Sequence, residues 1–288
     1  MGRGQKILDT PVMTLAKKEN LKIIEGEDLS DASFIDQLKD LNPDFLNFET
    51  FAKLQNADLS NLPELSSNER IGSCITSPRK FIAIGLNYSD HAAEVGADIP
   101  KEPIMFMKAT SSMCGPNDDV EIVSGSKKLD WEVELGIVIG KEAKHISKDQ
   151  SQDHILGYCL VNDVSEREWQ IEKKGQWVKG KSHDTFGPIG PYLVTKDEIS
   201  DVNNLNMSLD VNGVRMQNGN TNTMIFNVDV IVSYLSKFMS LHPGDIITTG
   251  TPPGVGMGMK PQKFLKPNDK LRLSIDNLGE QNSKVVLI

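Results

Sequence analysis

The sequence predicts a β-rich α+β fold, with a small, partly helical N-terminal domain over residues 1–77 and a larger domain over residues 78–288. Three observations carry this reading. Short apolar runs bounded by Gly, Pro and Asn recur from Lys80 to the C-terminus, which is the punctuation of strands and turns. Helical periodicity is confined to a few segments and does not alternate with the strands, so a regular βαβ architecture is not expected. Before the polar run "SSNERIGSCITSPR", spaced Leu, Ile and Phe sit among Asp, Asn and Ser, with one helical pattern at Asp31–Leu41. That polar run has no strong periodicity and marks the boundary.

The elements follow in order. "KFIAIG" is a short buried strand closed by Gly85, and Ser89–Val95 is a helix. "PIMFMK" is a strand ending in Lys108. In "LDWEVELGIVIG", Trp131, Val133, Leu135, Ile137 and Ile139 alternate along Leu129–Gly140, the period-two signature of one buried face. "ILGYCLVND" and "GPYLVT" read as further strands, separated by a charged helix at Val164–Lys174. "LNMSLDVNGVRMQNG" alternates Leu205, Met207, Leu209 and Val211 before Asn212-Gly213, a hairpin dipeptide. A helix at Val228–Ser240, the strand "DIITTG" and a closing hairpin, "KLRLSID" to "SKVVLI", complete the chain.

Composition bounds the function. The chain is 38% hydrophobic and 25% charged, which suits an ordinary globular core. Its net charge of -9 argues against a nucleic-acid or anionic-membrane partner. No apolar run reaches the ~20 residues of a spanning helix, and "MGRGQKILDTPVM" lacks the apolar stretch of a secretory signal, so a cytoplasmic location is expected. Cys74, Cys114 and Cys159 are odd in number and widely separated, as free thiols of a reducing compartment would be.

The chemistry gathers at strand ends. Glu132 and Glu134 share the second face of their strand. Two neighbouring carboxylates repel and are costly to bury, so this face is either wet or meets positive charge. Asp163 ends another apolar strand; with the two glutamates it makes an all-oxygen set suited to Mg²⁺ or Mn²⁺, although Asp163 is equally placed to cap the following helix. In "GLNYSDHAAEVG", His91 and Glu94 lie three apart and share a helix face, an arrangement by which a carboxylate orients a basic imidazole. His145, His154 and His242 sit in surface-like contexts. "GQWVKGKS" matches the phosphate-loop pattern letter for letter, but no buried strand precedes it and the Gly and Pro of "HDTFGPIGP" cannot form the helix that must follow. Lys181 in that loop is placed to steady a carboxylate or enolate. "TTGTPPGVGMG", Thr248–Gly258, offers backbone N–H groups and the Thr251 hydroxyl to an anion.

With these segments in hand, the chain resembles the fumarylacetoacetate hydrolase family. The resemblance runs from about Phe81 to the C-terminus through "GLNYSDHAAE", "PIMFMK", "DWEVELGIVIG", "GYCLVNDVSERE", "KGKSHDTFGPIGP" and "PGDIITTGTPPGVG", in family order. Within the family, "NDVSERE", "GQWVKGKSHDTFGPIGP" and "TGTPPGVG" resemble the branch that cleaves 2,4-dioxo-3-deoxy sugar acids such as 2,4-didehydro-3-deoxy-L-rhamnonate; relatives there also carry the label ureidoglycolate lyase. The resemblance implies a mixed β-sandwich roll, a homodimer and one divalent cation, Mg²⁺ or Mn²⁺, with Ca²⁺ as a crystal substitute. It implies Glu132, Glu134 and Asp163 as ligands, His91, Glu94 and Lys181 as catalytic residues, and Arg167, Gln170 and Thr251 as substrate contacts. The fourth acidic ligand of founding members has no clear equivalent in "GLNYSD". The implied activity is hydrolysis of the C–C bond of a β-diketo acid, as in an acylpyruvase or in sugar-acid catabolism, giving pyruvate and a second acid. Alternatives are oxaloacetate decarboxylation, 2-oxo-enoate hydration or isomerisation at the same site, and a non-enzymatic metal-stabilised binding protein.

Overall fold

The alternating segments assemble into two sheets that share a core. The structure, a computed structural model, describes residues 69–288; the expected helix at Asp31–Leu41 and nearly all of the expected N-terminal domain lie outside them. The strands of the first half are β1 (Phe81–Gly85), β2 (Ile104–Lys108), β3 (Met113–Cys114), β4 (Val120–Ile122), β5 (Leu129–Asp130), β6 (Val133–Ile139) and β7 (Ile155–Asn162). Those of the second half are β8 (Ser165–Glu166), β9 (Gly187–Pro188), β10 (Val194–Thr195), β11 (Asn206–Val211), β12 (Val214–Asn220), β13 (Ile246–Thr248), β14 (Lys270–Ile275) and β15 (Gly279–Leu287). The α-helices among the described residues are short: α1 (Ser89–Val95), α2 (Val178–Lys181) and α3 (Val228–Ser236).

A six-stranded mixed sheet runs β10-β7-β6-β13-β1-β2, and a five-stranded sheet runs β12-β11-β14-β15-β4. Trp131, Val133, Leu135, Ile137 and Ile139 enter the main core, where they meet Met207, Leu209, Leu271, Leu273 and Ile275 of the second sheet. The opposite face of the first sheet is covered as well: Val138, Cys159 and Val161 form a second cluster with Cys74, Ile75 and Phe81. β6 is therefore buried on both faces, as a central strand is when each face meets another layer. Asn212 and Gly213 adopt positive φ, 52° and 77°, and close the β11–β12 hairpin as their dipeptide requires. This is the β-rich α+β sandwich roll expected. No described helix is long and apolar enough to cross a membrane, and all three cysteines are free.

Several expectations are corrected. Val164–Lys174 is not an α-helix. Ser165–Glu166 forms β8 against β5, and a π-helical turn follows at Glu168–Glu172. The cause is tertiary: the buried Glu166 carboxylate accepts the N–H groups of Lys128 and Glu168, which holds the chain extended where charge periodicity favoured a helix. The run Leu129–Gly140 is broken between β5 and β6, so its first residues pair in a separate two-stranded ribbon. "GPYLVT" contributes only Val194–Thr195, and the last helix stops at Ser236. His154 is buried, its Nδ1 against the Lys141 carbonyl at 3.3 Å.

Candidate active site

β6 and β7 are antiparallel neighbours in a register that sets Val133 opposite Asn162. The Asp163 N–H donates to the Glu132 carbonyl at 2.9 Å. The end of one strand thus lies beside the start of the other, and Glu132, Glu134 and Asp163 each present a carboxylate oxygen within 4.8 Å of the others. All three are buried. Against the reading of a wet face, the second face of this strand meets positive charge.

That charge comes from three separate elements. Lys181, in the last turn of α2, places Nζ 2.6 Å from Glu132 Oε2 and 2.6 Å from Asp163 Oδ2. Lys108, the last residue of β2, reaches Asp163 Oδ1 at 2.6 Å and also donates to the Lys181 carbonyl. Arg167 donates from Nη2 to Glu132 Oε1 at 2.6 Å and from Nε to Asp130 Oδ2 at 2.8 Å, and from Nη1 to Gln170 Oε1 at 3.0 Å. Burial alone pushes the Glu132 carboxyl up, but Arg167 and Lys181 override it and hold the group at about 2. Burial likewise favours the neutral amine of Lys181, yet Asp163 and Glu132 keep its ammonium above the ordinary lysine range. Lys108 is displaced the other way, because burial outweighs its attraction to Asp163 and Lys181 repels it. Glu134 has no ion pair among the described residues; burial, then the charges of Asp163 and Glu132, raise it well above the carboxylate range.

The imidazole stands on α1. His91 is buried, and its Nδ1 lies 2.9 Å from Glu94 Oε2. The Gly254 N–H donates to the other oxygen of Glu94 at 2.9 Å, so a loop 160 residues away fixes the carboxylate that orients the ring. With Nδ1–H committed to Glu94, Nε2 is the nitrogen left to accept a proton. The loop Thr248–Gly258 spends its donors on the protein's own carboxylates. Gly250 N–H donates to Glu134 Oε2 at 2.9 Å, and Gly256 and Met257 donate to Asp130 at 2.7 and 3.0 Å. Gly250 sits at φ 90°, and a Cβ there would lie only 2.9 Å from the Asn87 side chain, so the turn that aims this N–H needs a glycine. The Thr251 hydroxyl donates to the Val133 carbonyl at 2.9 Å and accepts from Gln217 Nε2 at 2.8 Å; it is engaged in holding the loop.

One cavity of about 140 Å³ brings together His91, Glu132, Glu134, Asp163, Arg167, Gln170, Lys181 and Thr251. Glu94 stands behind His91 and lines a neighbouring cleft. Asp130 and Lys108 were not singled out by sequence. Asp130 shares the parity of Glu132 and Glu134 and was legible by that spacing; Lys108 ends a strand, where a lysine ordinarily faces water. The phosphate-loop match is no phosphate loop: α2 ends at Lys181 and turns its ammonium onto the carboxylates. Three buried oxygen donors, one of them a carboxyl without an ion pair among the described residues, suit a hard divalent cation such as Mg²⁺, Mn²⁺ or Ca²⁺.

The same constellation can be set beside known proteins. The family described as fumarylacetoacetate (FAA) hydrolase, C-terminal, matches residues 80–286. A protein of Burkholderia ambifaria, provisionally named a hydrolase, is 57% identical over 243 residues, covering 84% of this chain and 86% of its own. The fumarylacetoacetate hydrolase structure from the psychrophile Exiguobacterium antarcticum superposes with a TM-score of 0.74 at 36% identity, over 81% of this chain and 83% of that one. The structure of 2-hydroxyhepta-2,4-diene-1,7-dioate isomerase from Mycobacterium marinum gives 0.67 at 33% identity, over 80% and 86%. The chain belongs to the fumarylacetoacetate hydrolase family.

Proposed function

We propose that this chain is a divalent-metal-dependent hydrolase that cleaves the C–C bond of a β-diketo acid, an acylpyruvate or a 2,4-dioxo-3-deoxy sugar acid, to pyruvate and a second carboxylic acid. The observation that carries the reading is the pairing of His91 with Glu94 at the wall of the cavity whose floor is the three-carboxylate cluster. Binding alone needs no oriented base.

Glu132, Glu134 and Asp163 would hold the cation, which supplies a Lewis acid for the 2-oxo acid end of the substrate. His91 accepts a proton at Nε2 from a water whose oxygen bonds to the distal 4-oxo carbon. Glu94 fixes the ring tautomer and stabilises the imidazolium that forms. As the C3–C4 bond breaks, its electrons pass into the enolate of pyruvate. The imidazolium is the proton source for C3, so one water is consumed and two carboxylic acids leave. Lys181, held cationic by Glu132 and Asp163, steadies the negative charge as it develops. Arg167 and Gln170 orient the carboxylate end, and Thr251 secures the loop beside it. Magnesium, a homodimer and a cytoplasmic location complete the proposal, with residues 78–288 as its catalytic domain and 1–77 as a separate small one.

A second reading keeps the site and omits the attacking water, giving decarboxylation of oxaloacetate or isomerisation of an oxo-enoate. The isomerase of M. marinum, structurally similar at 33% identity, favours it. Incubation with Mg²⁺ or Mn²⁺ and acylpyruvates, 2,4-dioxo-3-deoxy acids or oxaloacetate, with pyruvate followed by a coupled dehydrogenase, separates the two. Hydrolysis is expected for the β-diketo acids. Turnover of oxaloacetate with none of them would replace the first reading by the second.

A further inference from the structure

We infer that the acyl end of the substrate is uncharged and apolar, so that the enzyme takes monoacid β-diketo acids and discriminates against diacids of the same length. This inference rests on the β-diketo acid reading and narrows it to the acylpyruvates, since the acyl end of a sugar acid carries hydroxyls. The cavity's charged groups belong to the carboxylate cluster and its cations, with Lys181 Nζ 5.2 Å from the Phe106 ring centroid, and its apolar lining is Leu86, Val95, Phe106, Ile171, Trp177 and Met257, with Ile84. Val95 is 38% exposed and Ile171 47% exposed; Phe106, Trp177, Leu86 and Met257 are half-buried. This apolar surface faces a cavity of about 140 Å³, smaller than the ~300–1,000 Å³ of sites for drug-sized ligands. A short apolar chain would cover it.

The aromatic part of the wall is built into the fold. Phe106 and Trp177 meet edge to face with centroids 5.2 Å apart. A Cβ on Gly85 would lie 2.5 Å from the Trp177 ring, so the absence of a side chain there gives the indole its seat. Among the described residues, no cation on this wall could accept a second carboxylate. The cations that line the cavity are Arg167 and Lys181; each is already paired with two carboxylates and stands at the end that the 2-oxo acid group claims. Lys260 lies beyond Val95 and Met257, in the neighbouring cleft with Glu94 and Gln262. A diacid whose far carboxylate stops at this wall finds no counter-charge among its lining residues and covers its apolar surface with a charged group, which is unfavourable against a methyl.

A matched pair tests this: 2,4-dioxoheptanoate and 2,4-dioxoheptane-1,7-dioate, which differ by a methyl against a carboxylate at C7. With Mg²⁺, kcat/KM is expected to favour the monoacid by at least about tenfold, the effect of roughly 1.4 kcal/mol. Equal rates, or a preference for the diacid, would overturn the inference. A binding arm separates its failure from failure of the hydrolase reading, because 2-oxoheptanoate and 2-oxoheptanedioate lack the 4-oxo group and cannot be cleaved. If calorimetry shows the monoacid binding tighter while neither dioxo acid is hydrolysed, the apolar-tail inference stands and the hydrolase reading falls. Equal binding of the two sinks the inference whatever the enzyme cleaves. Ile171→Lys adds a cation at an already exposed wall position and is expected to narrow the preference at least threefold by raising turnover or binding of the diacid; an unchanged ratio in a folded variant would remove this wall as the seat of the tail.

Discussion

Glu132, just before β6, and Glu134, within it, lie two residues apart, yet their surroundings push their protonation in opposite directions, and a pair of isosteric substitutions reads the difference. Glu132→Gln removes a carboxylate held at about 2, against 4.5 for the free group, by Arg167 and Lys181. At ~1.4 kcal/mol per unit the depression corresponds to about 3 kcal/mol at neutral pH, in line with the ~3–5 kcal/mol lost when a buried pair loses one member. In a domain of this size 1 kcal/mol moves the melting temperature by about 2–4 °C, so Glu132→Gln is expected to melt roughly 6–12 °C lower. Glu134→Gln replaces a carboxyl whose proton is favoured by burial and by the charges of Asp163 and Glu132. The amide keeps the volume and an acceptor for the Gly250 N–H, and at pH 4 the melting temperature in EDTA is expected to stay within about 2 °C of the parent.

The signs with pH differ too. Glu132 has a depressed folded pKa, so its stabilisation is present above about 4.5 and is lost as pH falls toward about 2. Glu134 has a raised one, so its contribution is complete below about 4.5 and is lost as pH rises through the folded value. Melting curves by circular dichroism in EDTA, from pH 4 to 9, are the assay. The metal-free parent is expected to lose stability relative to Glu134→Gln toward high pH. Added Mg²⁺ should restore the parent, by about 2.7 kcal/mol at a hundredfold excess over Kd, and leave Glu134→Gln unmoved. If Glu134→Gln in EDTA falls as far as Glu132→Gln, the protonation assigned to Glu134 is wrong. If it still gains stability from Mg²⁺, Glu134 is no ligand.

Three further outcomes are expected. His91→Ala should bind Mg²⁺ by calorimetry as the parent does and lose about 10²–10⁴ in kcat; near-normal turnover would remove the general base. Mg²⁺ binding should displace a proton from Glu134 and so tighten as pH rises above the ordinary carboxylate range; a calorimetric enthalpy independent of buffer ionisation heat would contradict it. Asp130→Ala should leave Arg167 Nε and the N–H groups of Trp131, Gly256 and Met257 without their acceptor, costing about 3–5 kcal/mol and lowering the melting temperature by roughly 6–20 °C; a parental melting curve would deny Asp130 its place in holding the loop.

What was legible in the sequence and what was not divide along a physical line. Alternation placed the core face of β6 correctly, because a strand's side-chain period is local and fixed; the turn at Asn212-Gly213 was legible because its positive φ is a property of two residues. The parity of Glu132 and Glu134 also showed, on inspection, that two carboxylates shared a face. It could not show what neutralises them. Lys108 meets Asp163 from 55 residues away, and Asp130 takes the Gly256 N–H across 126; pairings of that kind depend on the order of strands in the sheet, which no spacing encodes. The helix expected at Val164–Lys174 failed for the same reason, since its charges suited a solvated face while Glu166 was claimed by the backbone of a neighbouring segment. Counter-charge is thus the least local property of this site, and it is also the one that distinguishes its two glutamates. Neighbours in sequence with identical side chains therefore sit in different surroundings: Glu132 is paired with the cations that frame the cavity, and Glu134 has no ion pair among the described residues.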